Sequence, residues 1–168
     1  MSQSMTPEEE QCRDVYAHFG LAVFFAQNFE KSLCNYILFQ TGLTNGNITL
    51  ETVDAIEKAI HKKTLGQLLK ETKLIATFDD PADESLVNEA LIKRNYLFHD
   101  YFWDRAVEFM SPNGREVMLG ELPEFRLLFQ RADTLAKAMA RAAGKMLGIS
   151  DDLTHAEISK MMQEAKSM

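Results

Sequence analysis

The chain has 168 residues, 46% hydrophobic and 26% charged, a length and balance that suit one soluble globular domain with a real core. Its longest apolar stretch, near Leu21 to Ala26, is far too short to span a bilayer, so no membrane association is expected. The net charge of −7 argues against broad nucleic-acid binding, which needs basic surface, but leaves room for a cleft with a few local cations.

Charge is unevenly spread. Residues 1 to 14 carry Glu8, Glu9, Glu10 and Asp14 against Arg13. Residues 121 to 149 carry Arg126, Arg131, Lys137, Arg141 and Lys145 against Glu121, Glu124 and Asp133. The opening MSQSMTPEEE is acidic and has no apolar segment behind a basic start, so no secretory signal and a cytoplasmic location are expected. Cys12 and Cys34 lie roughly six turns apart on one helical pattern and cannot bridge within it, so both are expected to be reduced.

Taken in chain order, apolar residues recur at spacings of three and four, and no alternation persists long enough for a strand. Thr6-Pro7-Glu8-Glu9 provides a capping hydroxyl, a proline for the first helical position and an acid to close a capping box. Val15, Phe19, Val23, Ala26, Phe29, Leu33 and Ile37 continue it as one stripe, with an end expected near Gly42. Shorter helices are predicted from Thr49 to His61 and from Thr64 to about Ala76, after the loop GLTNGNIT. Asp80 and Pro81 open a fourth long helix predicted to run to about Met110. Ser111-Pro112 repeats the device, and Pro123 suits a helix start or a kink. From Leu122, the residues Phe125, Phe129, Ala132, Ala136, Met139, Ala143 and Met146 form a seam whose alanines permit close helix approach. A last short helix is predicted from Thr154. The expected fold class is thus all-α, an up-and-down helical bundle of about five to six helices. Residues 1–149 form the bundle, and residues 150–168 form a short, peripheral C-terminal helix.

The stretch KRNYLFHDYFW, residues 93–103, concentrates chemistry on the fourth helix. Arg94 and Tyr101 share a face there, and Asn95 and His99 share another. Arg94 and His99 stand about 140° apart on an ideal helix. A long arginine can wrap round, or two copies of the helix can face one another across a two-fold axis. An imidazole gives or takes a proton near neutrality, and a guanidinium offers a planar fork to phosphate. Together they suit cleavage of a phosphodiester next to a ribose 2′-hydroxyl. No grouping with metal-ligand spacing accompanies them, so neither a metal nor another cofactor is expected. The other reading of the same residues is a solvated helix face.

RNYLFHDY resembles the signature of HEPN domains: an arginine, a polar follower such as asparagine, and a histidine about a turn and a half on. Arg94, Asn95 and His99 match it in turn. The resemblance implies a small helical bundle, a homodimer, and a metal-independent endoribonuclease of a toxin–antitoxin or defence module, with Arg94, Asn95 and His99 in the cleft. It also leaves open a non-catalytic interaction module that has kept the fold. Arg94-x-x-x-x-His99-x-Tyr101 further resembles HepT-type toxins, whose tyrosine is AMPylated by an antitoxin nucleotidyltransferase. That resemblance implies Tyr101 as a control point and such an antitoxin as partner. Tyr101 also reads as a plain aromatic of the run with Phe98 and Phe102.

In the first helix, AQNFEKSL places Glu30 in an otherwise apolar segment, where an acid needs a partner. Glu30 is expected to reach the fourth helix and orient Arg94; pairing with Lys31 or exposure to water is the alternative. Trp103 is expected in the core or at an interface, and SPNGR could bring Arg115 to the cleft mouth. His18, His61 and His155 lie on separate predicted helices and are not joined to His99.

Overall fold

A computed structural model describes residues 5–46, 58, 78 and 80–149. Every element among them is a helix, so the all-α class holds. The helices predicted over 49–61, over 64–76 and from Thr154 lie outside the described residues, as does the segment 150–168. No described helix is long and apolar enough to cross a membrane.

Helix α1 spans Pro7–Asn45. Its start is the expected capping box: the Glu9 N–H donates to Thr6 Oγ1 at 3.3 Å, and the Thr6 N–H donates to Glu9 Oε2 at 2.7 Å. Its end falls later than expected. Gly42 is buried inside the helix, and Gly46, at φ 74°, is the left-handed cap. Both glycines were sterically eligible; Gly42 is itself buried and Leu43 packs against the core, so the helix continues past the first.

Helix α2 spans Pro81–His99, opened by the Ala82 N–H donating to Asp80 Oδ1 at 2.8 Å. The continuous helix expected to Met110 is interrupted. Asp100 leaves helical geometry, and two short helices follow, α3 (Tyr101–Asp104) and α4 (Ala106–Phe109). The break lets consecutive aromatics serve different contacts. Tyr101 packs on Phe19, Tyr96 and Phe125, while Phe102 packs on Tyr16, Phe19 and Phe109.

Helix α5 spans Pro112–Met146 and starts at Ser111-Pro112, as expected. Pro123 lies inside it, which leaves the Leu119 carbonyl without its usual donor but does not end the helix. A Schellman motif closes the other end: the Ile149 N–H donates to the Gly144 carbonyl and the Gly148 N–H to the Lys145 carbonyl, both at 3.0 Å, with Gly148 at φ 78°.

Three contacts set the topology. Arg115 bonds Gln11, Asp133 bonds Ser32, and Gly144 lies against Phe39. Residue numbers rise together on both helices, so α1 and α5 run parallel. The α2–α4 segment runs antiparallel to both. It meets α1 at Arg94–Glu30, then Tyr101–Phe19, then Phe109–Tyr16. It meets α5 at Tyr96–Phe125, then Arg105–Glu121.

The α1–α5 seam buries Ala22, Ala26 and Phe29 of α1 and Phe129, Ala132, Ala136, Ala140 and Ala143 of α5. Alanines bring the two backbones close, and each buried phenylalanine contributes about 1.5–3 kcal/mol of burial. Met146, at the end of the expected seam, is exposed. A buried polar bond lies within this seam: Ser32 Oγ donates to Asp133 Oδ1 at 2.5 Å, and Lys137 Nζ reaches Asp133 Oδ2 at 2.7 Å. A buried acid with two donors matches one position on the facing helix, which favours this register over a shifted one.

Trp103 is not in the core. It is 86% exposed, and Val107 and Met110 are exposed with it. The acids Asp100 and Asp104 leave this side of the chain facing water, while Tyr101 and Phe102 take the inward positions.

Candidate functional site

Arg94 occupies the inward stripe of α2, between Leu91 and Leu97, both buried, where a side chain faces α1. A cation there needs compensation. Glu30 supplies it: Arg94 Nη2 donates to Glu30 Oε2 at 3.1 Å across the α1–α2 interface. Arg94 Nη1 donates to Asn95 Oδ1 at 3.2 Å, and the guanidinium carbon lies 4.3 Å from the centre of the Phe98 ring. The side chain is 16% exposed, and its Nε is buried without a hydrogen-bond partner. Three groups therefore fix the guanidinium: an acid, an amide and an aromatic face.

His99 is the last residue of α2 and is exposed. The partners that hold Arg94 do not include it, as the helical angle between the two residues requires. Within one chain the structure thus joins Arg94, Asn95 and Glu30 and leaves His99 facing outward. His99, Trp103, Val107 and Met110 follow one another at spacings of four, four and three residues, all exposed.

Tyr101 is 1% exposed, and its hydroxyl has no hydrogen-bond partner of good geometry. Burial pushes the phenol well above its usual range, and the neighbouring Glu121 carboxylate adds to that. A hydroxyl so placed is out of reach of a modifying enzyme unless α3 moves.

Beside Tyr101 lies a group that sequence reasoning missed. Arg105 binds Glu121 through two bonds of 2.8 Å, Nε to Oε1 and Nη2 to Oε2, and also approaches Glu108 Oε1 at 3.6 Å. Burial alone would raise the Glu121 carboxyl. The Arg105 fork, with help from Tyr101 and Lys93, outweighs it and holds the group below its ordinary value. A carboxyl depressed on folding stabilises the fold above its unfolded pKa, and that contribution is lost as pH falls through the lower folded value. Glu121→Gln is expected to flatten the acid limb of the stability–pH curve, measured by urea unfolding between neutral and acidic pH. An unchanged limb would show that the Arg105 pair adds nothing. No spacing in the sequence signals this pair, because it joins α5 to the unforeseen break after α2.

Arg115 also departs from expectation. It is 1% exposed and bonds Gln11 Oε1 at 3.1 Å and the Phe109 carbonyl at 2.9 Å, with Glu8 Oε1 at 3.6 Å. Gln11 lies 19 residues, or about 28 Å of helix, before Glu30. Arg115 therefore ties the far end of the bundle together and is not at the mouth of the Arg94 site.

Both cysteines are free thiols. Burial, with the charge of Glu30, raises the Cys34 thiol to about 11. Cys34 is expected to resist iodoacetamide at pH 8 in the folded protein and to react after denaturation, read by mass spectrometry. Fast labelling of the folded chain would contradict its burial. Among the described residues no three histidine, cysteine or acidic side chains are grouped to hold a metal ion.

Scanned against protein-family models, curated proteins and solved structures, the chain matches none of them.

Proposed function

We propose that the chain is a HEPN-like endoribonuclease that works as a homodimer without a metal ion, in a toxin–antitoxin or defence setting. The observation that carries this reading is the fixed Arg94 guanidinium, held by Glu30 and Asn95, on the helix that ends in an exposed His99. In this reading the ribose 2′-oxygen attacks phosphorus as His99 takes its proton, the bond to the 5′-oxygen breaks, and the leaving oxygen accepts a proton in turn from the imidazolium. Arg94 steadies the charge growing on the phosphate, and Asn95 holds the arginine fork. The products are a 2′,3′-cyclic phosphate and a free 5′-hydroxyl.

The exposed Trp103, Val107 and Met110 support the dimer. Large apolar side chains left exposed, a tryptophan among them, suit an association surface, and in this reading a two-fold contact there would bring the two His99 side chains toward each other. An antitoxin, nucleotidyltransferase or other, is the partner expected in this setting. AMPylation of Tyr101 would require the hydroxyl to leave its buried site.

One observation favours a second reading, a non-catalytic interaction module. The Arg94 charge is already met by Glu30, so phosphate must compete with a carboxylate 3.1 Å away, and the Trp103 surface serves protein association equally well. The deciding experiment incubates the purified protein with varied single-stranded RNAs in excess chelator. Cleavage that leaves 2′,3′-cyclic phosphate ends establishes the nuclease. No cleavage by a well-folded dimer establishes the module.

A further inference from the structure

The second half of α5 carries a charge pattern that the Arg94 site does not use. From residue 125 to 149 there are five cations, Arg126, Arg131, Lys137, Arg141 and Lys145, against one acid, Asp133. That acid is buried and already bonded by Ser32 and Lys137. Arg131, Lys137, Arg141 and Lys145 are all exposed, in a protein whose net charge is −7.

The helix dipole does not account for this ridge. Its favourable effect on cations is confined to the last turn, whereas Arg131 lies 15 residues, about 22 Å, before Met146. Pairing within the helix does not account for it either. Lys137 has an acid four residues back, but Arg131 and Arg141 make no ion pair among the described residues. The side chains between them, Thr134, Ala138 and Ala142, are small and exposed, so a ligand can lie close along the helix.

We infer that this ridge is a docking surface for the sugar-phosphate backbone of single-stranded RNA, separate from the Arg94–His99 site. The choice of RNA as the polyanion rests on the nuclease reading; the binding does not. Two features favour a nucleic-acid backbone over other anionic partners. Between Leu127 and Met146 no large apolar side chain is exposed, so the ridge lacks the anchor that a protein interface centres on. For the same reason it lacks the apolar wedge that an interfacial helix inserts into lipid. What remains is a pair of arginines, Arg131 and Arg141, about 15 Å apart along the helix with Lys137 between them, the length of roughly four stacked nucleotides at about 3.4 Å each. On an ideal helix Arg141 points about 160° away from Phe125, which meets α2, so the ridge faces away from the helix that carries His99.

The test measures binding of a labelled, fully 2′-O-methylated single-stranded RNA by fluorescence anisotropy over a range of salt. Such an RNA lacks the nucleophile, so cleavage plays no part. R131Q/R141Q is compared with R13Q/K31Q, which changes net charge equally at exposed positions of α1, and thermal melts confirm that both variants fold. Loss of two phosphate contacts is expected to weaken binding by roughly 25-fold at about 0.1 M salt and to make the log–log salt slope shallower by about 1.4. R13Q/K31Q should leave both unchanged. Equal loss in the two variants, no loss in R131Q/R141Q, or no RNA binding by the wild type would overturn the inference. So would binding to phosphatidylserine vesicles without binding to RNA. If the ridge variant loses RNA binding while no form of the protein cleaves unmodified RNA, the nuclease reading fails and the ridge stands.

Discussion

Substituting His99 by alanine is expected to abolish RNA cleavage while leaving the unfolding midpoint nearly unchanged. The side chain is exposed at the last position of α2, and no described hydrogen bond depends on it, so its removal should cost within about 0.5 kcal/mol. A positioned proton-transfer group is worth about 10²- to 10⁴-fold in rate. The separation of the two effects is the diagnostic. Arg94→Ala should instead lose cleavage and stability together, because it strands Glu30 at the α1–α2 interface and empties a place in the inward stripe. Activity that survives His99→Ala would remove the histidine from the chemistry. Cleavage that is absent from the wild type as well would leave the interaction module.

Alanine at Gly114 is expected to lower the free energy of unfolding by about 2 kcal/mol, against its own helix propensity. Inside a helix, Gly→Ala ordinarily stabilises by about 1 kcal/mol. Here an added Cβ would run into the backbone of Glu108, at its carbonyl oxygen, carbonyl carbon and Cα. Overpacking typically costs about 1–3 kcal/mol, and a backbone cannot rotate away as a side chain can. The turn between α4 and α5 is also tied from several sides. The Ser111 N–H donates to the Glu108 carbonyl at 3.1 Å, the Gly114 N–H donates to Ser111 Oγ at 3.1 Å, and Arg115 holds the Phe109 carbonyl at 2.9 Å. In a domain of this length the loss corresponds to a midpoint lower by roughly 4–8 °C, read by calorimetry or circular dichroism. A raised midpoint would show that α4 moves aside at little cost and that the close approach is not needed.

Local chemistry is what the sequence alone determined. Thr6 with Glu9, Asp80 with Pro81 and Ser111 with Pro112 are start signals whose partners lie within a few residues, and all three open helices where expected. The period of three and four revealed the all-α class and most of the α1–α5 seam, because burial of a helix face leaves its mark on every turn. The need for a partner at Glu30 was also legible, since an acid in an apolar run is costly anywhere, and Arg94 was the partner expected; that the acid reaches across 64 residues to it, and not to neighbouring Lys31, was decided by the packing of α1 on α2. Tertiary contacts decided what local signals left degenerate. Gly42 and Gly46 both suited a cap, and packing chose the later one. Nothing local marks the break at Asp100, which comes from placing Tyr101 and Phe102 into different contacts, and Trp103 is turned outward as a result. The parallel course of α1 and α5, and the Arg105–Glu121 and Arg115–Gln11 bonds, join residues remote in the chain. Their energies arise only once the helices have packed, so no periodicity or spacing along the sequence encodes them.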